Sequence, residues 1–206
     1  MSSGSDQFTA QDVEILSSET CHKGWLRLDK LRLRHKLFAG GWSEPMDREV
    51  LLKDHAVGVL LFDPDRDAIV MVRQFRVGVL HEPGSPWLLE LVAGLIDTAE
   101  SAEAVAHRES LEEANIEPVD LLRICDYYNS PGASNENVTL YCGRVDSSTA
   151  GGVFGLAHEH EDIEVVILSY EEAMAGLQAG SINNAMSIIA LQWLALNKAD
   201  LQKRWS

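Results

Sequence analysis

Basic side chains are scarce in this sequence. Its 206 residues include 17 Lys and Arg against 32 Asp and Glu, which gives a formal net charge of −15. A protein that binds nucleic acid without sequence preference needs an excess of Lys and Arg to neutralise phosphates, so the charge argues against that class. An anionic small molecule remains compatible as a substrate, provided that a metal ion or a few placed basic groups offset the repulsion.

Cysteine is equally sparse, and no pattern links the three that occur. Cys21, Cys125 and Cys142 lie far apart, without a CxxC pair or a Cys/His cluster. This spacing predicts neither a zinc site nor a disulfide framework. We expect free, mostly buried thiols.

Long apolar runs are missing too. No segment approaches the roughly 20 apolar residues that cross a bilayer, so we expect no membrane-spanning helix. The opening residues, MSSGSDQFTAQD, lack the basic and apolar regions of a secretory signal. We therefore expect residues 1–10 to be a disordered lead-in, and we expect the protein to be cytoplasmic.

The residues that are present predict an α+β protein. The composition, 46% apolar and 24% charged, suits one sizeable domain with a modest extension. Between Leu26 and Arg34, leucines alternate with basic residues, as in a half-exposed sheet. Further strands are predicted at about 57–62, 68–72, 88–92, 121–128, 138–145 and 163–168, and helices at about 101–114, 170–178 and 183–198. This order favours mixed β-sheets sandwiched between helices, with a small N-terminal β-rich extension.

The helix predicted near 101–114 concentrates carboxylates on one face. At about 100° per residue, Glu112 and Glu113 lie on either side of Glu109, among small apolar residues. Buried carboxylates are costly unless compensated, and a hard divalent cation such as Mg2+, Mn2+ or Ca2+ would compensate them. The alternative is a solvated acidic face, with Leu111 on the opposite side marking the core.

The spacing of this segment resembles the Nudix box, G-x5-E-x7-R-E-U-x-E-E-x-G-U, in which U is aliphatic. Six positions are in register: Gly94, Glu100, Arg108, Glu109, Glu112 and Glu113. Ile116 fills the last aliphatic place, whereas Ser110 stands at an aliphatic position and Asn115 replaces the glycine. Because Asn tolerates left-handed backbone geometry, we expect the C-terminal turn of the helix to form.

The resemblance implies a Nudix hydrolase fold over residues 54–206 and a divalent-metal site. It makes Glu109, Glu113 and the carbonyl of Ala93 metal ligands. It assigns a second ion to Glu112 and pairs Arg108 with Glu100. Mg2+ is the implied cofactor, with Mn2+ as a substitute.

Beyond the box, the chain from about Asp12 to Trp205 resembles the bacterial ADP-ribose pyrophosphatases of this superfamily. The segments that carry the closer match are Ser130-Pro131-Gly132, Arg73 to Arg76, Gly155 to Ile163, and Asn183 to Trp193. This resemblance implies Mg2+-dependent hydrolysis of the pyrophosphate bond of ADP-ribose to AMP and ribose 5-phosphate. The alternatives are another nucleoside diphosphate sugar or dinucleotide, or a non-catalytic ADP-ribose sensor.

The same resemblance assigns roles to single residues outside the box. It makes Glu159 the general base, beside Arg108 and Glu112 in the catalytic set, and Glu161 an additional metal ligand. The implied substrate-binding residues are Trp25, Leu26, Arg48, Glu49, Lys53, Arg76, Ser130, Pro131, Gly132 and Glu136. Taken alone, Trp25 could be an ordinary core residue, and Arg76 could be a surface residue at a strand edge. The acidic loop could also simply be solvated.

A homodimer is the last implication of the resemblance. Residues 11–53 would form a β-rich dimerisation segment that crosses to the partner and completes its pocket. Arg48, Glu49 and Lys53 would then reach the site from the second subunit. The sequence alone gives only a short additional β segment in support.

Overall fold

The computed structural model describes residues 8–96 and 99–205, apart from the side chain of Glu159. Residues 1–7 of the expected lead-in lie outside these ranges. Thr9 caps a 3-10 turn at Ala10–Asp12, because its side chain accepts from the Gln11 N–H and its own N–H donates to Asp12. The described chain divides into two compact units, one of residues up to Lys53 with Tyr128–Glu136, and one of the remaining residues.

The first unit contains a three-stranded antiparallel sheet with the strand order β1-β2-β3. Its strands are β1 (Val13–Lys23), β2 (Arg27–His35) and β3 (Met46–Leu52). The alternation of leucines and basic residues between Leu26 and Arg34 corresponds to β2, whereas no comparable pattern marks β3. Every residue of β1 is exposed.

The second unit is built on an eight-stranded mixed sheet. Its main strand order is β10-β11-β5-β4-β9-β8, while β6 pairs with β5 and β7 pairs with β4. Strands β4 and β9 are parallel. The strands are β4 (Ala56–Asp63), β5 (Ala68–Phe75), β6 (Trp87–Glu90), β7 (Val92–Leu95), β8 (Asp120–Tyr128), β9 (Asn137–Arg144), β10 (Gly152–Phe154) and β11 (Ile163–Ser169). The helices are α1 (Ala102–Ala114), α2 (Tyr170–Ala179) and α3 (Ala185–Trp205).

Helices cover both faces of this sheet, as the alternation along β5 shows. Ile69 and Met71 belong to one core cluster, which includes Leu191 of α3. Val70 and Val72 belong to the other, which includes Val105 of α1. Because successive strand residues face opposite sides, α1 lies on one face of the sheet and α3 on the other. The predicted α+β fold with sandwiching helices is confirmed.

Two boundaries differ from the sequence pattern for physical reasons. The apolar run at 88–92 is two strands, β6 and β7, separated at the fully buried Leu91 and paired with different neighbours. An apolar run does not indicate which strand it will pair with, so its division into two strands cannot be predicted from the sequence. Helix α3 continues to Trp205, whose indole Nε1 donates to the Asp120 carboxylate over 2.8 Å.

Two further expectations concerned the burial of the cysteines and the presence of membrane-spanning helices. The three cysteines are free, but Cys21 on β1 is exposed rather than buried, whereas Cys142 is buried and Cys125 is half-buried. No helix among the described residues is long and apolar enough to cross a membrane.

Asp63 closes β4 and organises the turn that follows it. Its carboxylate accepts hydrogen bonds from the backbone N–H groups of Asp65, Arg66 and Ser147 and from the Ser147 hydroxyl, all between 2.7 and 3.0 Å. Burial by itself raises the pKa of Asp63, but these bonds outweigh it and hold the pKa below its ordinary value. The carboxylate thus ties the Asp63-Pro64-Asp65 turn to a segment more than 80 residues away.

We predict that Asp63→Asn lowers the free energy of unfolding by about 1–3 kcal/mol at pH 7, because an amide cannot accept all four bonds. Since the pKa of Asp63 is depressed in the folded state, the additional stability of wild type is fully present above the ordinary pKa of Asp. It is lost as pH falls through the pKa of Asp63 in the folded protein. Urea unfolding of both proteins at several pH values measures this. The exposed Asp65→Asn should change stability by less than about 0.5 kcal/mol, and an equal loss there would contradict the role given to Asp63.

Candidate functional site

Helix α1 begins and ends at residues suited to those positions. The Ser101 side chain accepts from the Ala104 N–H at the N-terminus. Asn115 adopts φ 49° and ψ 39° at the C-terminus, the left-handed geometry that we expected there. Ser110, at the usual aliphatic position, is fully buried and donates its hydroxyl to the Ala106 carbonyl over 2.7 Å. Both departures from the Nudix box are therefore accommodated locally.

The orientation of α1 decides between a buried and a solvated acidic face. Glu113 is 2% exposed, whereas Leu111 on the opposite side is 52% exposed. Val105 and Ala106, which belong to the same helix, are fully buried. The alternative in which Leu111 marks the core is wrong, since the carboxylate side faces inward.

Arg108 bonds to three carboxylates at once. Its Nε and Nη2 donate to the two oxygens of Glu100, over 3.2 and 3.1 Å. Its Nη1 donates to Glu109 over 2.6 Å and to Glu112 over 3.0 Å. The hydrogen bonds to Glu100 make the largest contribution to raising the pKa of the guanidinium above its ordinary value. The expected Arg108–Glu100 pair is thus present, and it fixes the segment before α1 to the helix.

Glu113 lies against β7, where its Oε2 accepts a hydrogen bond from the Ala93 N–H over 3.0 Å. Burial raises the pKa of Glu113 to about 8, and the charges of Glu109 and Glu161 add to the rise. Burial likewise raises the pKa of Glu109 to about 7, although Arg108 opposes it. A Cβ at Gly94 would collide with the Glu109 carboxylate, which explains the glycine at this position of β7. The fold therefore holds carboxylates where their negative charge is disfavoured.

This carboxylate set has the chemistry of a site for a hard cation. Oxygen-only donors suit Mg2+, Mn2+ or Ca2+ rather than zinc, and a cation would relieve the cost of burying Glu109 and Glu113. Within the described ranges, no three His, Cys, Asp or Glu side chains converge as a ready-made metal centre. The Nη1 bonds of Arg108 direct Glu109 and Glu112 toward the guanidinium. The residues fit a divalent cation in kind, and those two bonds would have to give way to it.

The loop between β10 and β11 brings Glu161 near α1. The Glu161 Oε2 accepts from the Leu156 N–H over 3.0 Å, and the Gly155 N–H donates to the carbonyl of Glu112 over 3.4 Å. The backbone of Glu159 lies in a 3-10 turn, Ala157–Glu159, which ends at His160 with φ 60°. The side chain of Glu159 lies outside the described residues, so its assignment as general base stays a prediction.

Arg76 follows β5 and is held by a carboxylate that the sequence analysis missed. Its Nε donates to Oε2 of Glu90 over 2.8 Å, and its Nη2 forms an ion pair with the same oxygen at 2.7 Å. The Glu90 side chain is only 14% exposed, whereas that of Arg76 is 43% exposed. Glu90 ends β6, and a single Glu closing an apolar run carried no sequence signal. Arg76 is therefore paired with a nearly buried acid rather than unpaired at the surface.

In the first unit, Lys53 and Glu136 form an ion pair. Glu136 is 8% exposed and also accepts from the Asn129 amide over 2.8 Å. Burial raises its pKa, but Lys53 and Asn129 outweigh that effect and lower it. The Asn135 side chain bonds to both the N–H and the carbonyl of Lys53, over 2.7 and 2.9 Å. The sequence analysis missed Asn129 and Asn135, because neither stands in a pattern.

The other predicted substrate-binding residues of this unit lie at its surface. Trp25 is 94% exposed and Leu26 40% exposed, so the alternative of Trp25 as a core residue is wrong. Arg48 and Glu49 are exposed on β3. Ser130-Pro131-Gly132 forms an exposed turn, in which the Ser130 carbonyl accepts from Ala133 and Ser134. Their roles in binding stay predictions.

Comparison with known proteins places this arrangement in a family. The family model of the NUDIX domain matches residues 52–204, so the chain belongs to the NUDIX family. It is 43% identical over 201 residues to the ADP-ribose pyrophosphatase of Haemophilus influenzae, covering 96% of this chain and 93% of that protein. It is 42% identical over 199 residues to the ADP-ribose pyrophosphatase of Escherichia coli strain K12, covering 97% and 95%.

More distant similarities extend the comparison. The GDP-mannose pyrophosphatase of Citrobacter koseri is 30% identical over 148 residues, covering 71% of this chain and 76% of that protein. The crystal structure of an ADP compounds hydrolase superposes with a TM-score of 0.71 at 20% identity, covering 95% of this chain and 99% of that one. The last similarity supports the fold alone.

We predict that Glu113→Gln melts at or above the temperature of wild type in metal-free buffer. The amide oxygen can still accept from Ala93, and a buried charge is removed. Because the folded-state pKa of Glu113 is raised, ionisation of this carboxyl destabilises wild type as pH rises from about 4.5 to about 8. The difference between the melting temperatures of variant and wild type should therefore widen across that pH range. Thermal unfolding in EDTA at several pH values measures it.

The control for this prediction is Glu103→Gln, which changes an exposed residue of the same helix. The difference between its melting temperature and that of wild type should not vary with pH over the same range. A large loss of stability in Glu113→Gln would mean that the carboxylate itself supports the fold.

Proposed function

We propose that this protein hydrolyses the pyrophosphate bond of ADP-ribose, giving AMP and ribose 5-phosphate, with Mg2+ as cofactor and Mn2+ as a substitute. The observation that carries the proposal is the inward-facing carboxylate set of α1, in which Glu113 is 2% exposed. An enzyme keeps such a costly arrangement where a divalent cation meets a diphosphate. The 42–43% identity to ADP-ribose pyrophosphatases over nearly the whole chain supports the choice of substrate.

The residues of the chain have distinct parts in this mechanism. Glu109, Glu112, Glu113, Glu161 and the Ala93 carbonyl would hold the metal, which supplies charge neutralisation of the diphosphate and a more acidic bound water. Arg108 would release its Nη1 bonds to Glu109 and Glu112 and keep its two bonds to Glu100, so α1 stays anchored. Glu159 would accept the proton as water attacks phosphorus in line and the bond to the bridging oxygen breaks.

Substrate binding is assigned to the placed cations and the exposed aromatic surface. Arg76 keeps Nη1 available for a phosphate oxygen or the terminal ribose while Glu90 holds its other nitrogens. Trp25, 94% exposed, offers a ring face on which adenine can stack. Lys53, Glu136, Leu26 and Ser130-Pro131-Gly132 complete the proposed contacts.

A GDP-mannose activity is the second candidate for the same site. The GDP-mannose pyrophosphatases of Citrobacter koseri and Cronobacter sakazakii are 30–32% identical over 71–72% of this chain. Substrate choice depends on pocket contacts that the Nudix box does not encode. A panel of nucleoside diphosphate sugars and dinucleotides with product identification distinguishes the candidates, and a higher kcat/KM for GDP-mannose would replace ADP-ribose as the substrate.

We predict that ADP-ribose turnover requires a divalent cation and falls by roughly 1000-fold in Glu113→Gln, since the metal supplies several kcal/mol of transition-state stabilisation. For Glu159→Gln we expect kcat to fall by about 100-fold or more, with substrate binding largely kept. Steady-state kinetics with Mg2+, Mn2+ or EDTA measures both effects. Glu103→Gln is the matched control and should keep wild-type rates. Activity that is indifferent to EDTA and to Glu113→Gln would refute the metal mechanism.

We further infer that the protein is a cytoplasmic homodimer whose N-terminal segment, residues 11–53, completes the partner's site. Arg48 and Glu49 would then act from the second subunit, as the resemblance implies, and so would Lys53. The exposure of all of β1 supports this inference, because exposed edge strands and apolar side chains are commonly covered by a partner.

Mixed dimers test the second-subunit role. In a mixed dimer, one subunit carries Glu113→Gln and the other carries Arg48→Ala. If Arg48 acts in trans, co-expressing the two inactive variants should restore about a quarter of wild-type activity, because about half of the dimers are mixed. One site of each mixed dimer would then be intact. No recovery, or full activity of a monomer in sedimentation, would show that Arg48 does not act from a partner.

A further inference from the structure

Gln74 on β5 is a buried polar residue whose amide nitrogen lacks a partner. The residue is 7% exposed, and its Nε2 has no hydrogen-bond partner among the residues that the structure describes. A buried, unpaired donor is costly, because it has given up its hydrogen bonds to water and gained none in the protein. An apolar side chain of similar size would avoid this cost, so the amide calls for an explanation beyond packing.

The face of the sheet on which Gln74 lies follows from the alternation along β5. Val72, two residues earlier, belongs to the core cluster on the α1 side. Side chains at i and i+2 share a face, so Gln74 also lies on the α1 side. Arg76 continues the alternation because its backbone is extended, with φ −128° and ψ 107°. Apolar residues thus give way, along one face, to an amide and then to a cation.

The neighbouring strand places an acid on the same face. In the β5–β6 pairing, Glu90 lies directly opposite Val72, and Leu88 lies directly opposite Gln74. Directly opposed residues share a face of the sheet, and Glu90 accordingly bonds to Arg76. Arg76 and Glu90 thus pair with each other, whereas Gln74, which lies between them along this face, has an unpaired amide nitrogen.

We propose that Gln74 is a substrate-binding residue, whose amide donates a hydrogen bond to an oxygen of the diphosphate or of an adjoining ribose. The inference rests on the proposed function. Gln74 and Arg76 are about 7 Å apart along the strand, a separation that one ribose-phosphate group can bridge. A neutral donor beside Arg76 adds hydrogen-bonding selectivity without further charge, and a site built to bond a substrate oxygen discriminates strongly against ligands without it.

A second buried and unpaired group provides a matched control. Four side-chain atoms of this kind occur in the described residues: Asp67 Oδ1, Gln74 Nε2, His107 Nδ1 and Ser187 Oγ. Ser187 is fully buried on α3, the helix that packs on the opposite face of the sheet from α1. A change at Ser187 therefore reports the effect of removing an unpaired polar group away from the proposed site.

The test compares Gln74→Met, Gln74→Glu and Ser187→Ala with wild type in ADP-ribose kinetics and in ligand-free thermal unfolding. For Gln74→Met we expect KM to rise roughly 5- to 20-fold with kcat little changed, the effect of losing one neutral bond to the ligand. Its melting temperature should stay level or rise. Gln74→Glu, which accepts rather than donates, should lose at least as much binding. Ser187→Ala should leave KM and kcat unchanged.

Product inhibition locates the contact. Weaker inhibition of Gln74→Met by ribose 5-phosphate alone places the contact on that half of the substrate, and weaker inhibition by AMP alone places it on the other. A wild-type KM in Gln74→Met or Gln74→Glu overturns the inference. So does a lower melting temperature with kcat and KM altered together, which would indicate a structural role. If wild type itself does not hydrolyse ADP-ribose, the proposed function fails, and this inference fails with it.

Discussion

The carboxylate of Glu113, buried between α1 and the backbone of Ala93, is the constraint on which the rest of the second unit depends. A helix that turns its acidic side inward requires neighbours that leave room for carboxylates and donors that meet their oxygens. Gly94 leaves that room, since any side chain there would collide with Glu109. The Ala93 N–H and Arg108 supply the donors, and the apolar side chains of Val105 and Ala106 pack into the core from the same helix.

Arg108 links this electrostatic arrangement to the stability of the segment around it. Its two bonds to Glu100 use one edge of the guanidinium, and its Nη1 serves Glu109 and Glu112. The planar fork allows these functions to be separated, which a lysine could not do. The proposed metal ion would therefore displace one set of bonds without detaching the loop that precedes α1. The anchor and the adjustable contact reside in one side chain.

What the sequence could predict, and what it could not, follows from how local each signal is. The glutamates of α1 and the left-handed Asn115 are local patterns, and each is predicted from the spacing of the residues or from the backbone preference of Asn. Glu90, Gln74 and Asn135 were not, because each acquires its meaning from a strand or loop elsewhere in the chain. Asn135, for example, bonds to Lys53, 82 residues earlier. Long-range pairing also decides that the apolar run at 88–92 becomes two strands.

A chain with a net charge of −15 must still present positive charge to an anionic substrate, and we propose that two ion pairs supply it. In each unit a nearly buried carboxylate holds a half-exposed base: Glu90 holds Arg76, with side chains 14% and 43% exposed, and Glu136 holds Lys53, with side chains 10% and 32% exposed. An exposed ion pair contributes little stability, but here a nearly buried acid positions a base that itself remains partly exposed. Few basic residues suffice when each is held in place, because a fixed cation loses little conformational entropy when it binds a phosphate.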